Sequence, residues 1–462
     1  MIQAFKNIWS IPELRLRVLF TLAMLAVYRI GSHIPTPGID SAALLSFFDQ
    51  QKGSILGFVD MFSGGAFSRL TIFALGIMPY ITASIILQLL TVVWPYLEKL
   101  SKEGEAGRKK ITQYTRFGTV ALSLVQSFGI SIFIEGQSSQ LGSIVTNPGW
   151  GFRLMTVLTL TTGTAFIMWL GEQISDRGIG NGISLIIFAG IVVGFPGAVA
   201  NTLVDLKNNQ ISAVTVLLLV ILMIAVIAAI VLVERAQRRI PIQYARRVVG
   251  RKVYGGSSTY LPLRVNTAGV IPVIFASSML AIPQTLGTMG WAQNVSWLQN
   301  ALAMLNYGEP IYNLMYTVGI MFFCFFYVSI IFNPMDQADN MKKYGGYIPG
   351  IRPGKRTAEY IDRILTRLTT GGAIYLALVS LLPMLLIGGL KVQSLPLIGP
   401  SLDAILPGFL TQGLNLKFFF GGTSLLIVVG VAMDTVQQIE SQLNMRHYEG
   451  FMKGTRMRGR RG

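Results

Sequence analysis

The sequence is poor in cysteine and histidine. Its 462 residues include one cysteine, Cys324, and two histidines, His33 and His447. A single cysteine excludes a disulfide within the chain and a cysteine-based metal site. Two histidines so far apart in sequence form no metal-binding motif. We therefore expect the chain to hold neither a metal nor a cofactor.

Charge is also scarce, whereas apolar residues are abundant. Charged residues make up 13% of the chain and hydrophobic residues 52%, with a mean hydropathy of +0.55. A helix needs roughly 20 apolar residues to cross the hydrocarbon core of a membrane. Ten stretches of about that length occur, at residues 18–37, 73–94, 115–134, 154–173, 183–203, 213–233, 268–286, 311–332, 369–390 and 418–437. The sequence therefore predicts an all-α, polytopic membrane protein with ten transmembrane helices.

The distribution of basic residues predicts the orientation. If both termini are cytoplasmic, 31 of the 38 Lys and Arg residues face the cytoplasm, together with 14 of the 21 Asp and Glu residues. The net charge of +17 then lies on one side of the membrane, as the positive-inside rule requires. An eleventh span at 394–417 would place the C-terminal tail on the outer side of the membrane. The prolines of this segment also disfavour a helix. We interpret Met1–Pro12 as an amphipathic surface helix, not a cleaved signal.

Five predicted spans precede a long polar break and five follow it. An odd number of spans per half gives the two halves opposite orientations, as in transporters built from inverted repeats. We place the halves at residues 1–207 and 208–462. The second span of each half is interrupted, by Gly76 and Pro79 in the first half and by Pro283 in the second. Such matched interruptions indicate a transport path, although Pro and Gly are also common in ordinary membrane helices.

No carboxylate falls in the middle of a predicted span. Glu172, Asp176, Glu234 and Asp434 all lie at cytoplasmic ends, whereas ion-coupled carriers usually keep an ionisable group within the membrane. This pattern counts against the main alternative, a small-solute secondary transporter. A path lined by isoleucine instead favours a constriction that excludes ions by dewetting. The sequence also lacks GxSxG, HExxH and P-loop motifs, so we expect no enzyme activity.

Two short motifs, Met61–Ala66 and Ile72–Ile81, resemble the plug and the second helix of the SecY family, the central channel subunits of the Sec protein translocon. Further matching motifs lie at Gly171–Ile174, Arg177–Ser184, Asn266–Pro272, Phe332–Pro334, Pro349–Gly354 and Phe420–Leu426. They occur in family order over nearly the whole chain.

This resemblance implies an hourglass channel of two inverted five-helix halves, closed from outside by a plug helix. We define the plug segment as residues 57–70. Its matching residues are Phe62, Ser63, Gly64, Gly65, Phe67, Ser68 and Arg69. The family's aliphatic pore ring matches Ile77, Ile81, Ile183, Ile187, Ile274 and Ile427. A spacing of four places Ile77 with Ile81, and Ile183 with Ile187, on one helix face.

The resemblance also implies a lateral gate between the second and seventh spans. Signal sequences and membrane segments leave the channel there and enter the lipid. Polar residues similar to the gate lining are Thr82, Ser84, Gln88, Asn266 and Ser277. Polar side chains between membrane helices often serve packing alone, so their individual roles stay open.

Two long basic loops, 234–265 and 333–368, exceed what orientation alone requires. In the family such loops dock the ribosome and the SecA motor ATPase. By motif, Arg251 and Lys252 would meet ribosomal RNA phosphates, and Arg352 matches an arginine needed by the motor. We expect the basic tail, 438–462, to contact the same partners.

The resemblance further implies small SecE and SecG subunits, contact with anionic lipids, passage of signal sequences and nascent polypeptides, and a place in the bacterial inner membrane. The outer segment 391–417 has no function that the sequence reveals.

Overall fold

The computed structural model of the protein describes residues 11–50, 60, 63–141, 144–209, 211–244, 247–249, 252–254, 258–287, 295–306, 308–389 and 422–454. Helices dominate these residues. They are α1 (Pro12–Gly31), α2 (Ser41–Gln50), α3 (Met78–Val93), α4 (Pro95–Lys102), α5 (Glu105–Leu141), α6 (Trp150–Arg177), α7 (Gly182–Lys207), α8 (Ala213–Arg235), α9 (Ile271–Gly287), α10 (Ser296–Met304), α11 (Pro310–Ile331), α12 (Pro334–Lys343), α13 (Lys355–Gly388) and α14 (Gly422–Gly454).

Each of the ten predicted spans overlaps one of these helices, and the prediction of a helical polytopic membrane protein is confirmed. By length and composition, six described helices can each cross a membrane alone, and the bent pair α3–α4 makes a possible seventh. The predicted surface helix at the N-terminus and the outer segment 391–417 lie almost wholly outside the described residues.

Local sequence explains several helix ends. Pro12 and Pro95 occupy the first turns of α1 and α4, where a missing N–H costs nothing. Ser212 caps α8 by accepting a hydrogen bond from the Thr215 amide at 3.2 Å, which satisfies one of the unpaired amides of the first turn. Between α3 and α4 the axis turns by 99°, because Pro95 cannot continue the hydrogen bonding of α3.

The chain forms two compact units. The first comprises Met1–Val199, Ala281–Ala303 and Val431–Gly462. Within it α5 packs along α6, where Ser127 Oγ lies 3.5 Å from Thr161 Oγ1. Small polar residues at a spacing of four along α5 are all buried: Thr115, Thr119, Ser123, Ser127 and Ser131. Two ion pairs hold the helices at opposite ends, Arg116 with Glu172 at 2.8 Å and Arg153 with Glu135 at 2.6 Å.

The C-terminal end of α14 belongs to the first unit. Ile439 and Leu443 pack against Leu14 and Ile179. Gln438 accepts a hydrogen bond from the Gly180 amide at 3.0 Å. The start of α1 and the turn after α6 are thereby tied to the beginning of the tail.

The second unit comprises Ala200–Leu280 and Met304–Gly430. Besides helices it contains strands that the sequence analysis did not predict, β1 (Gln237–Tyr244), β2 (Arg247–Val249), β3 (Lys252–Tyr254), β4 (Ser258–Arg264) and β5 (Gly346–Tyr347). They form an antiparallel sheet in the order β4-β1-β5 and a separate β2-β3 hairpin. In the sheet Ile240 lies opposite Leu261, and Gln243 lies opposite Tyr347.

The pairing of β1 with β5 joins the two loops that the sequence analysis treated separately. Beneath the sheet, Ile240, Leu263, Ile348 and Ile361 form a buried apolar cluster. Each long loop contributes residues to this cluster, so loops 234–265 and 333–368 are parts of one folded body.

Candidate functional site

The plug segment is described at residues 60 and 63–70, whereas Phe62 lies outside the described residues. From Gly64 onward it consists of turns and not of the regular helix expected from the resemblance. The backbone angles φ of Gly64 and Gly65 are +66° and +80°, a conformation that interrupts a right-handed helix.

The Asp60 carboxylate organises these turns. Its Oδ1 accepts a hydrogen bond from the Ser68 amide at 2.8 Å and lies 3.4 Å from the Ser63 hydroxyl. Ser63 Oγ in turn accepts from the Phe67 amide at 3.0 Å. Burial raises the pKa of the Asp60 carboxyl above its ordinary value, and the hydrogen bonds from Ser68 and Ser63 offset part of that rise.

Apolar contacts hold one side of the plug segment. Phe67 and Leu70 are buried in a cluster that also contains Leu44, Phe48 and Phe152. The rings of Phe48 and Phe67 meet edge to face with centroids 5.3 Å apart. This side is therefore anchored to α2 and α6.

Polar contacts hold the other side of the plug segment. The Tyr28 hydroxyl donates to the Ser63 carbonyl at 3.2 Å, and Arg29 Nη1 donates to the Gly64 carbonyl at 2.9 Å. A Cβ on Gly64 would lie 2.9 Å from the Gly190 Cα on α7, so only glycine fits at this approach. Residues 63–65 thus sit between the end of α1 and α7. Ser68 is buried, and Arg69, which is half-buried, follows it.

Four of the predicted ring residues lie in the first unit. The Ile81 amide donates to the Ile77 carbonyl at 3.1 Å, so these two residues occupy successive turns of one helix face. Both side chains are buried. On α7, Ile187 is buried and Ile183 is half-buried. Ile274 and Ile427, both buried, lie in the second unit.

The predicted gate residues already have local hydrogen bonds. On α3 the Gln88 amide donates to Ser84 Oγ at 3.2 Å, and Thr82 is buried. On α9 the Ser277 hydroxyl donates to the Ile274 carbonyl at 2.9 Å. These bonds satisfy polar groups within a single helix, as is usual for Ser in membrane helices.

Asn266 has a partner that the sequence analysis missed. Its amide donates to Glu234 Oε1 at 2.6 Å and to the Gly269 carbonyl at 3.2 Å. Side chains of both Asn266 and Glu234 are buried. The Val265 amide also donates to the Ala236 carbonyl at 3.0 Å. The base of loop 234–265 is therefore closed directly before α9.

The predicted docking residues lie in the loops of the second unit. Lys252 begins β3 opposite Val249, whereas Arg251 lies outside the described residues. Arg352 is exposed, and its carbonyl accepts from the Thr357 hydroxyl at 2.9 Å. Gly350 and Gly354, with φ of +82° and +105°, bend the chain on either side of it.

Alternation could have revealed the sheet, since Pro241 separates Ile240 from Ile242 and Pro262 separates Leu261 from Leu263. That period of two is typical of a half-buried strand. No sequence signal identifies Gly64 as the partner of Arg29, because a backbone carbonyl is present at every residue.

Comparison with known proteins identifies the family. The SecY family model matches residues 71–436. Protein translocase subunit SecY of Escherichia coli is 48% identical over 455 residues, which cover 97% of this chain and 96% of that protein. The subunit of the same name from Streptomyces scabiei is 49% identical over 467 residues, with 98% and 100% covered.

Solved structures share the fold. A protein-conducting channel superimposes with a TM-score of 0.61 at 18% identity, covering 92% of this chain and 91% of that one. Sec61 from a canine ribosome–channel complex gives a TM-score of 0.58 at 17% identity, with the same coverage. Near-half identity over almost the full length, combined with this fold, shows that the chain belongs to the SecY family and is a membrane-spanning protein-translocation channel subunit.

Proposed function

We propose that this chain forms the pore through which unfolded secretory polypeptides cross the bacterial inner membrane, and from which membrane segments pass sideways into lipid. The observation that carries the proposal is the folded segment Ser63–Gly76 directly before α3. It is glycine-rich and irregular, and it lies between α1 and α3, which overlap the first and second predicted spans. Non-helical backbone at membrane depth is tolerated only where it is buried in protein or lines a cavity.

The plug segment suits a movable closure. Hydrogen bonds from Tyr28 and Arg29 hold residues 63–65, and such bonds contribute only about 0.5–1.5 kcal/mol for a neutral donor and about 1.5–3 kcal/mol for a charged donor. Phe67 and Leu70 anchor the other side in an apolar cluster. Such a segment can release at the polar side while it stays attached at the apolar side.

The seal is assigned to isoleucines. We place it at Ile77, Ile81, Ile183, Ile187, Ile274 and Ile427. Support comes from the apolar, buried side chains of Ile77 and Ile81 on successive turns. A narrow aliphatic constriction resists wetting and therefore blocks ions, yet its branched side chains offer a passing polypeptide no fixed polar site.

The lateral gate is assigned to α3 and α9, with Thr82, Ser84, Gln88, Asn266 and Ser277 along it. The described side-chain hydrogen bonds of Ser84 and Gln88 form within α3, and that of Ser277 forms within α9. Two helices that meet through self-satisfied polar groups can part without leaving those groups unpaired. The two halves of the channel then correspond to 1–207 and 208–462.

The joined loops are assigned to docking of a ribosome and a motor ATPase of the SecA type. A folded basic body is a better platform than two separate loops, because its positive charges keep fixed positions. Arg251 and Lys252 would contact RNA phosphates, and Arg352 would contact the motor. Sec61 and Ssh1 channels of similar fold have been solved on ribosomes, which supports this assignment.

The remaining assignments follow the family. Both termini lie in the cytoplasm, SecE and SecG subunits accompany the chain, anionic lipids meet its basic face, and the energy for transport comes from a partner, since the chain is a channel and not an enzyme. The charge bias of the loops supports this orientation.

Reconstitution tests the whole proposal. The purified chain, placed in vesicles with its small subunits and a SecA-type motor, should import an unfolded precursor that carries a signal sequence and not the same precursor without one. Uptake of a small solute in exchange for protons, with no precursor uptake, would contradict it.

A further inference from the structure

Arg29 is a charged residue on the last turn of α1, which overlaps the first predicted span. Ionisable residues in such helices are costly to bury and persist mainly where they have a function. Within the part of the chain that the structure describes, no carboxylate forms an ion pair with Arg29. The guanidinium bonds instead to the backbone of the plug segment.

Contacts at the end of α1 orient the Arg29 guanidinium toward the plug segment. Nη1 lies 3.2 Å from Ser32 Oγ, and Ser32 Oγ donates back to the Arg29 carbonyl at 2.7 Å. His33 Nδ1 lies 2.9 Å from the same carbonyl. The end of α1 therefore fixes the direction of the Arg29 side chain, which reduces the entropy lost on bonding to Gly64.

Gly64 is the acceptor because of its place in the segment. Its carbonyl lies 2.9 Å from Arg29 Nη1, and its α-carbon lies against Gly190 of α7. Tyr28, one residue before Arg29, donates to the carbonyl of Ser63, one residue before Gly64. Two consecutive residues of α1 thus bind two consecutive carbonyls of the plug segment.

We propose that Arg29, assisted by Tyr28, is the positioning residue that holds residues 63–65 against α1 and so keeps the resting channel closed. This inference rests on the proposed function and adds to it the group that sets the closed state. Phe67 and Leu70 remain anchored when the bond breaks, so its loss releases one side of the segment without unfolding the unit.

The test uses the full chain with its small subunits in planar bilayers, without a precursor. Arg29→Met should lower the ratio of closed to open channels about tenfold to hundredfold, which is the contribution of one hydrogen bond from a charged donor. Arg29→Lys, which retains a charged donor, should restore most of the closure. Tyr28→Phe keeps the ring stacked on Phe73 and should lower the ratio by about two- to tenfold.

Arg153→Met provides a matched control, because Arg153 pairs with Glu135 and forms no hydrogen bond or ion pair with the described residues of the plug segment. It should leave the resting conductance unchanged. Arg29→Met and Tyr28→Phe channels that import precursor normally but are as tight as the wild type would overturn the inference. Failure of the wild-type chain to import precursor would instead overturn the proposed function. If Arg29→Met does not fold, Tyr28→Phe alone decides between these outcomes.

Discussion

Asn266 donates a hydrogen bond to the buried carboxylate of Glu234 across 2.6 Å. The contact joins the end of α8 to the residues just before α9, and the whole of loop 234–265 lies between them. Because the loop and α9 share this base, movement of the loop is expected to reach α9 directly.

Breaking this pair should destabilise the protein strongly. Asn266→Ala leaves the carboxylate of Glu234 without its amide donor, at a cost of at least about 1–3 kcal/mol. In a double-mutant cycle with Glu234→Ala, the coupling energy should be about 1–3 kcal/mol, measured by thermal unfolding in detergent. Ser84→Ala with Gln88→Ala supplies a neutral pair at 3.2 Å for comparison, and its coupling should be smaller. Additive effects of Glu234→Ala and Asn266→Ala would contradict the prediction.

Gly64→Ala should open the resting channel. The new Cβ would lie 2.9 Å from the Gly190 Cα while φ stays at +66°, and the left-handed conformation alone costs an alanine about 1–2 kcal/mol. We expect at least a tenfold rise in the open fraction in planar bilayers. Gly65→Ala is the matched control, because φ is +80° there but nothing lies within 4 Å of the added Cβ. An equal effect of the two changes would show that the contact with α7 is unimportant.

The seal can be tested on a single helix. Ile81→Gly should increase ion leakage, since it removes a buried branched side chain from the proposed constriction. Ile86→Gly is the control, because it places the same helix-weakening residue on α3 at a side chain that is 41% exposed. Leakage should rise for Ile81→Gly, and further when Ile187→Gly is added, while Ile86→Gly stays tight. Equal leakage from both single variants would indicate loss of helix structure and not loss of a seal.

The sequence predicted the helices well because each apolar span is a local signal. Every residue of a stretch such as 213–233 points to the same environment, so α8 lies within two residues of the expected bounds. The strands were missed for the opposite reason. Strand β5 has two residues, Gly346 and Tyr347, and its partner β1 lies about a hundred residues earlier. A strand this short carries no periodicity of its own.

In the candidate site, too, the sequence showed the local relationships and missed the contacts between distant residues. Side-chain motifs placed Ile77 with Ile81 correctly, because a spacing of four is fixed by helix geometry. Sequence alone did not reveal the bond of Arg29 to Gly64. The contact depends on the turn that two glycines allow, which is a property of the fold.

Charge reversal at Arg352 should lower motor-driven import. The side chain is exposed and its carbonyl is bound by Thr357, so Arg352→Glu should change the surface without unfolding the loop. Import with a SecA-type motor is expected to fall at least tenfold, measured in vesicles. Lys355→Glu carries the same charge change at the first residue of α13, where a negative charge is favourable, and it should have a smaller effect. Equal losses would indicate a general charge effect and no specific role for Arg352.

The closure of the plug segment should depend on pH through Asp60. Burial raises the pKa of its carboxyl above the ordinary value of 3.8, so the packed segment binds a proton more tightly than the released one. Stability of the packed segment therefore falls as pH rises from about 3.8 through the raised pKa, and then becomes constant. In a Gly64→Ala background, where leakage is measurable, acidifying the outer solution towards that value should reduce leakage. Adding Asp60→Asn keeps an oxygen acceptor for the Ser68 amide and removes the charge, so the pH dependence should disappear. A dependence that persists in that double variant would assign the titration to another group.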